Sequence, residues 1–163
     1  MSFSDIVFLM KLMVWNCQGA ASREFVRVLK DLLKHHKPDI LGLLEPKVSG
    51  SHADEVCQKL GFKEWIRVEA VGFSGGIWIF WNSSLVIDVV HTHPQFILLK
   101  VKLNIQEYWY LSIVYGSPNP GLRKKLWEEL TQQCLQIEGP WLSVGDYNAV
   151  TSEVEVSGTG PFA

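Results

Sequence analysis

The sequence predicts a layered α/β fold, and three features carry that prediction. Short apolar runs alternate with stretches whose apolar residues recur at helical spacing. Turn residues, chiefly Gly, Pro, Asn and Ser, separate the segments. The apolar fraction of 47% over 163 residues gives one domain enough material for a continuous core.

The elements read in order as follows. Residues 11–17 (KLMVWNC) form a buried strand ending at Asn16. Ser22 caps a helix with apolar positions Phe25, Val28, Leu29, Leu32 and Leu33, spaced i, i+3, i+4, i+7, i+8. Lys34, His35, His36 and Lys37 place positive charge at its carboxyl end, and Pro38 stops it. Residues 39–45 (DILGLLE) are a second buried strand closed by Pro46. Ser51 and Asp54 have capping-box spacing, with Ala53, Val56, Cys57 and Leu60 on one face and Gly61 at the end. A strand meander follows over 63–69, 76–81, 85–91, 96–103 and 108–115. Its turn signals are Ser74-Gly75-Gly76, Asn82-Ser83-Ser84, His93-Pro94 and Asn104. Asn119 caps and Pro120 opens a helix bearing Leu122, Leu126, Leu130 and Cys134; Gly139-Pro140 ends it before a last buried strand at 141–145. Residues 1–10 read as an extension, 11–150 as the domain and 151–163 as a polar tail.

Composition narrows the function. Net charge is −2 and the pI about 6.2, so the chain lacks the basic excess of a free-standing nucleic-acid binder. Lys30/Lys34/Lys37 with His35 and His36, and Arg123/Lys124/Lys125, read as solvated helix faces. A phosphodiesterase stays open, because a divalent cation would bring its own positive charge to the phosphate. Three cysteines without metal-site spacing fit a reducing, intracellular compartment. The apolar stretch at 6–15 is short, interrupted by Lys11 and not preceded by a basic segment, so neither a membrane span nor a signal peptide is expected. Among seven tryptophans some are core anchors, and an exposed one could stack on a base.

Polar residues stand at strand ends: Asn16, Glu45, Tyr115, Asp146 and Asn148. Loops after strands are where layered α/β folds build sites. Glu45 suits a hard cation such as Mg²⁺. Asp146 could orient or deprotonate a water, while Asn148 and Tyr115 could donate to phosphate oxygens. Each, taken singly, also reads as a cap or turn residue. His91 and His93 share a strand face, but no third metal ligand accompanies them.

Five segments together carry a resemblance: WNCQG at 15–19, LLEPK at 43–47, SGGIWIFW at 74–81, VYGSPN at 114–119 and GDYN at 145–148. In order and spacing they resemble the endonuclease/exonuclease/phosphatase family, which includes apurinic-site repair endonucleases, deoxyribonuclease I and retroelement endonucleases. WNCQG, SGGIWIFW and VYGSPN look most like the plant non-LTR retroelement (LINE-type) branch. The resemblance implies a DNase I-like four-layer α/β sandwich, of which this chain would supply the amino-terminal part only. It also implies Mg²⁺ (or Mn²⁺)-assisted attack of water on a phosphodiester, nucleic acid (DNA) as partner and a nuclear setting. Position by position, Asn16 and Glu45 match the metal-site residues, Tyr115 the phosphate-contacting tyrosine, Asp146 the water-activating aspartate and Asn148 the asparagine that stabilises the transition state.

The sequence departs from the family pattern at three points. Gln18 stands where repair members carry an acidic residue, and Asn119 lies one position further from Tyr115 than in those enzymes. The family's closing half brings another aspartate and a Ser-Asp-His motif, yet here no Asp follows Asp146 and no His follows His93. Two readings therefore stand: a truncated nuclease-type phosphodiesterase that holds its cation weakly, and a catalytically inactive remnant or interaction module. A sheet left without its partner would favour self-association.

Overall fold

The computed structural model describes residues 10–69, 75–104 and 106–149. The extension and tail expected at the two ends, and Ser74 of the expected turn, lie outside the described residues, apart from Met10. Eleven elements follow one another: β1 (Leu12–Asn16), α1 (Arg23–His36), β2 (Ile40–Leu44), α2 (Gly50–Lys59), β3 (Glu64–Val68), β4 (Ile77–Trp81), β5 (Val86–His93), β6 (Phe96–Lys102), β7 (Tyr108–Tyr115), α3 (Pro120–Gln136) and β8 (Trp141–Asp146).

Two four-stranded sheets form, in the orders β1-β2-β4-β3 and β5-β6-β7-β8. The same directional pattern appears in both. β1 and β2 are parallel, as are β7 and β8, and every other neighbouring pair is antiparallel. Parallel neighbours need a crossover, and α1 and α3 supply one in each sheet. The sheets face one another with β1 against β8 and β2 and β4 against β7, so the edge strands β1 and β8 lie on the same side.

Alternation of side chains sorts the core into layers. Ile40, Leu44, Ile77, Ile79 and Trp81 from the first sheet meet Ile97, Leu99, Val101, Leu111 and Ile113 from the second. The opposite face of the first sheet, with Leu41, Leu43, Trp78 and Phe80, is covered by Phe25 and Leu29 of α1 and by Ala53, Val56 and Cys57 of α2. Beneath the second sheet, Phe96, Leu98 and Val114 pack on Leu126 and Leu130 of α3. The result is helix, sheet, sheet, helix: the expected four layers.

Local chemistry explains the boundaries. The Ser22 hydroxyl accepts the Phe25 amide at 3.0 Å, and Lys37 caps the other end of α1 in a left-handed conformation. Asn119 Oδ1 accepts the amides of Gly121 and Leu122, with Pro120 at the first helical position of α3. Three expectations change. Val28 is exposed while Val26 packs in the core, so the buried stripe of α1 is rotated toward Phe25, Val26, Leu29 and Leu33. Ser51 lies inside α2, which Ser49 caps without a side-chain bond, and Asp54 instead accepts from Arg67 Nε at 2.8 Å. Cys134 is exposed, and Ile137 takes the last place on the buried side of α3.

The core is not closed at the edge that β1 and β8 share. Leu12 and Val14 of β1 are half-buried, and Leu142, on the same side of β8 as Val144, stays 47% exposed.

Candidate active site

Asn16, Tyr115 and Asp146 each end a strand, on β1, β7 and β8, and each shares the inward parity of its sheet. Glu45 follows β2 directly. Simple alternation would aim it at the helices, because Leu44 faces inward. Its left-handed conformation (φ 53°) breaks that alternation, and the carboxylate meets the inward residues instead. Five described non-glycine residues have positive φ. Lys37 caps α1, and the other four, Gln18, Glu45, Lys47 and Asn148, all lie in the loops around this cluster. Each such conformation costs on the order of 1–3 kcal/mol, and such strain gathers at sites that use it.

The cluster is one hydrogen-bonded network. Asn16 Nδ2 donates to Asp146 Oδ2 at 2.9 Å and to Glu45 Oε1 at 3.4 Å. The Tyr115 hydroxyl donates to Glu45 Oε1 at 2.6 Å. Lys47 Nζ lies 3.2 Å from the other carboxylate oxygen, Glu45 Oε2. Asp146 Oδ1 accepts the Asn148 amide at 2.9 Å, and Asn148 Nδ2 donates to the Gly116 carbonyl at 2.7 Å. All five residues singled out in the sequence thus meet at the carboxyl ends of the parallel strands.

The ionisation states follow from these contacts. Burial pushes the Glu45 carboxyl up, but donation from Tyr115, Lys47 and Asn16 outweighs it, and the net shift is downward. Burial and the Glu45 carboxylate together push the Tyr115 phenol well above its ordinary value, so it stays a donor at neutral pH.

Glycines permit the close approaches. Gly145 has φ 150°, and a Cβ there would lie 1.9 Å from the Val114 carbonyl oxygen. A Cβ on Gly75 would fall 2.7 Å from Glu45 Cα, while the Gly75 carbonyl accepts the Lys47 amide. Gly75 therefore does more than turn the chain: it lets the loop before β4 lie against Glu45.

Sequence reasoning passed over Lys47 and Gln95. Lys47 stood in the LLEPK segment, two residues after a carboxylate. Gln95 follows the His93-Pro94 turn with no motif around it. Its buried carboxamide accepts the Ser117 amide at 2.7 Å and donates to the Leu122 carbonyl at 2.9 Å, which fixes the chain after Tyr115. His91 and His93 are held otherwise: His91 Nε2 pairs with Glu129 at 3.1 Å, and His93 Nδ1 accepts the Gln95 amide. Trp127 is 43% exposed but lies flat on Tyr147, at 5.6 Å and 3°, so one of its faces is covered.

The donor set suits a hard cation. Asn16 Oδ1 is buried without a hydrogen-bond partner among the described residues, because the Asn16 amide nitrogen is committed to two carboxylates. A carboxylate and an amide oxygen are the kind of oxygen donors that Mg²⁺ accepts. No group of three or more His, Cys, Asp or Glu placed to hold a metal occurs among the described residues.

The fold and cluster define a four-layer α/β sandwich with a polar network at the strand ends. The chain belongs to the Endonuclease/Exonuclease/phosphatase family, which it matches over residues 13–162. No curated protein matches the sequence. Among solved structures it is similar to the endonuclease domain of TRAS1, a telomere-specific non-LTR retrotransposon (TM-score 0.65, 15% identity, 87% of this chain and 62% of that one). It is also similar to D. rerio TDP2 complexed with a single-strand DNA product (TM-score 0.61, 16% identity, 89% and 63%). A third likeness is to a Bacteroides thetaiotaomicron mannosyl-6-phosphatase (TM-score 0.57, 14% identity, 85% and 65%). The chain spans under two thirds of each of these three structures, and identities this low speak to the fold alone. No described helix is long and apolar enough to cross a membrane.

Proposed function

We propose that this chain carries the larger part of a phosphodiesterase site that acts on nucleic acid, DNA in the first instance. The supporting observation is the network that joins Asn16, Glu45, Tyr115 and Asp146 across the two sheets. Glu45 and Asn16 Oδ1 would hold Mg²⁺ or Mn²⁺, which when bound offsets negative charge developing on the phosphate. Asp146 keeps lone pairs beyond its two hydrogen bonds, so it can orient a water and take its proton. The Asn148 amide, aimed by its bond to Gly116, and the Tyr115 hydroxyl would donate to phosphate oxygens, each at the cost of its present partner. The retroelement type is favoured by the wording of WNCQG, SGGIWIFW and VYGSPN.

The site needs more than these five residues. With no Asp after Asp146 and no His after His93, the chain itself lacks the further aspartate and histidine that the family motif supplies. It should therefore be weakly active alone, with the open β1 and β8 edges favouring self-association. Nicking of supercoiled plasmid in Mg²⁺ tests this reading. The isolated chain should nick little, and a chain extended by the closing third of a retroelement relative should nick measurably. No nicking by a folded, extended chain would instead favour the inactive-remnant reading.

A further inference from the structure

Glu45 divides its two oxygens unequally. Oε1 receives the Tyr115 hydroxyl and the Asn16 amide, both on side chains rooted in strands. Oε2 receives the ammonium of Lys47, whose side chain is 55% exposed against 14% for Glu45. The contact is built by the backbone. Pro46 between them is buried, Glu45 and Lys47 are both left-handed, and the Lys47 amide is tied to the Gly75 carbonyl. These constraints turn two side chains that are two positions apart toward one another.

Among the described residues, Lys47 is the only lysine or arginine paired with a carboxylate of the cluster. It covers the one Glu45 oxygen not already taken by a strand residue. A divalent cation arriving at Glu45 would meet a positive charge in its place, and the two repel at such distances. A long, solvated lysine stem lets the ammonium leave without disturbing the fold. Its next favourable partner is an anion beside the cation, and a bound phosphodiester supplies one.

Resting on the site proposed above, we infer that Lys47 is an exchangeable counter-cation. It neutralises Glu45 while no divalent ion is bound, yields that oxygen to the ion, and then anchors a phosphate oxygen of the substrate. Lys47 thereby sets both how tightly the ion is held and how well the phosphate is positioned. It weakens the first and strengthens the second.

Mn²⁺ affinity, read by the electron paramagnetic resonance of the free ion, and binding of a non-hydrolysable phosphorothioate oligonucleotide in Ca²⁺ test the inference together. Removing one exposed ion pair in Lys47→Met should tighten Mn²⁺ about two- to fivefold. The same variant should bind the oligonucleotide roughly tenfold more weakly, having lost a charge-assisted contact. Lys47→Arg keeps the charge and should stay close to the parent in both, and thermal melting confirms folding of each variant. Unchanged Mn²⁺ affinity in Lys47→Met, or tighter Mn²⁺ with undiminished oligonucleotide binding, overturns the inference. Glu45→Gln separates this failure from that of the site. If Glu45→Gln loses Mn²⁺ while Lys47→Met binds it no tighter, only the role of Lys47 falls. If Glu45→Gln holds Mn²⁺ as the parent does, both readings fall.

Discussion

Asn16 donates to Asp146 across 130 positions of sequence, at 2.9 Å, and so ties the end of β1 to the end of β8. These are the edge strands at which the two sheets meet, and the bond joins them where the polar network lies, so the site and the seam between the sheets are one structure.

Asn16→Ala should therefore loosen the seam as well as the site. Two part-buried carboxylates lose a shared donor, a loss of about 1–3 kcal/mol. Urea unfolding should show a lower midpoint with little change in slope. A midpoint equal to that of the parent would mean that the edges are held by the apolar core alone.

Gly145→Ala should be more damaging than its size suggests. The added methyl meets the Val114 carbonyl oxygen at 1.9 Å, in a backbone region that side chains avoid. Overpacking and strain together should cost about 3 kcal/mol or more. Soluble yield and thermal midpoint should both fall. A variant that melts with the parent would show that β8 can shift away from β7 without cost.

Acid should reveal the Glu45 network. Its carboxyl titrates lower in the folded protein than its ordinary value of 4.5. The stabilisation is therefore complete above that value and is lost as pH falls below it through the folded pKa. Glu69, also lowered through its bonds to Arg67 and the Gly50 amide, adds a parallel loss. Melting from pH 6 down to pH 3 should therefore decline more steeply in the parent than in Glu45→Gln, which retains the Glu69 part. Parallel curves for the two proteins would place Glu45 outside the network in solution.

Much of the fold was legible because its signals are local. Ser22 and Asn119 cap helices in the way their position before an apolar stretch implies. The strands from β1 to β8 lie within a residue or two of their apolar runs. The misread places share a different cause. Ser51 and Asp54 have capping-box spacing, but Asp54 is claimed by Arg67, thirteen residues away on β3. Cys134 continues a helical stripe, yet it is exposed, Leu135 beside it is 83% exposed, and Ile137 reaches the core instead. The site's residue types could be read from strand ends, whereas its wiring could not. That Glu45 turns inward depends on a left-handed backbone and on Gly75 lying against it, and nothing within LLEPK announces either.

Asn16 and Glu45, with Asp146 beside them, form the proposed cation site between the two sheets. Sub-stoichiometric Mn²⁺ added to the isotopically labelled protein tests this most directly, because the paramagnetic ion broadens the amide resonances nearest to it. Broadening should centre on Asn16, Glu45 and Asp146, fade along β1, β2 and β8 away from their carboxyl ends, and vanish on addition of excess Mg²⁺. Broadening centred instead on His91, His93 and Glu129, or spread over the surface carboxylates without a focus, would contradict it.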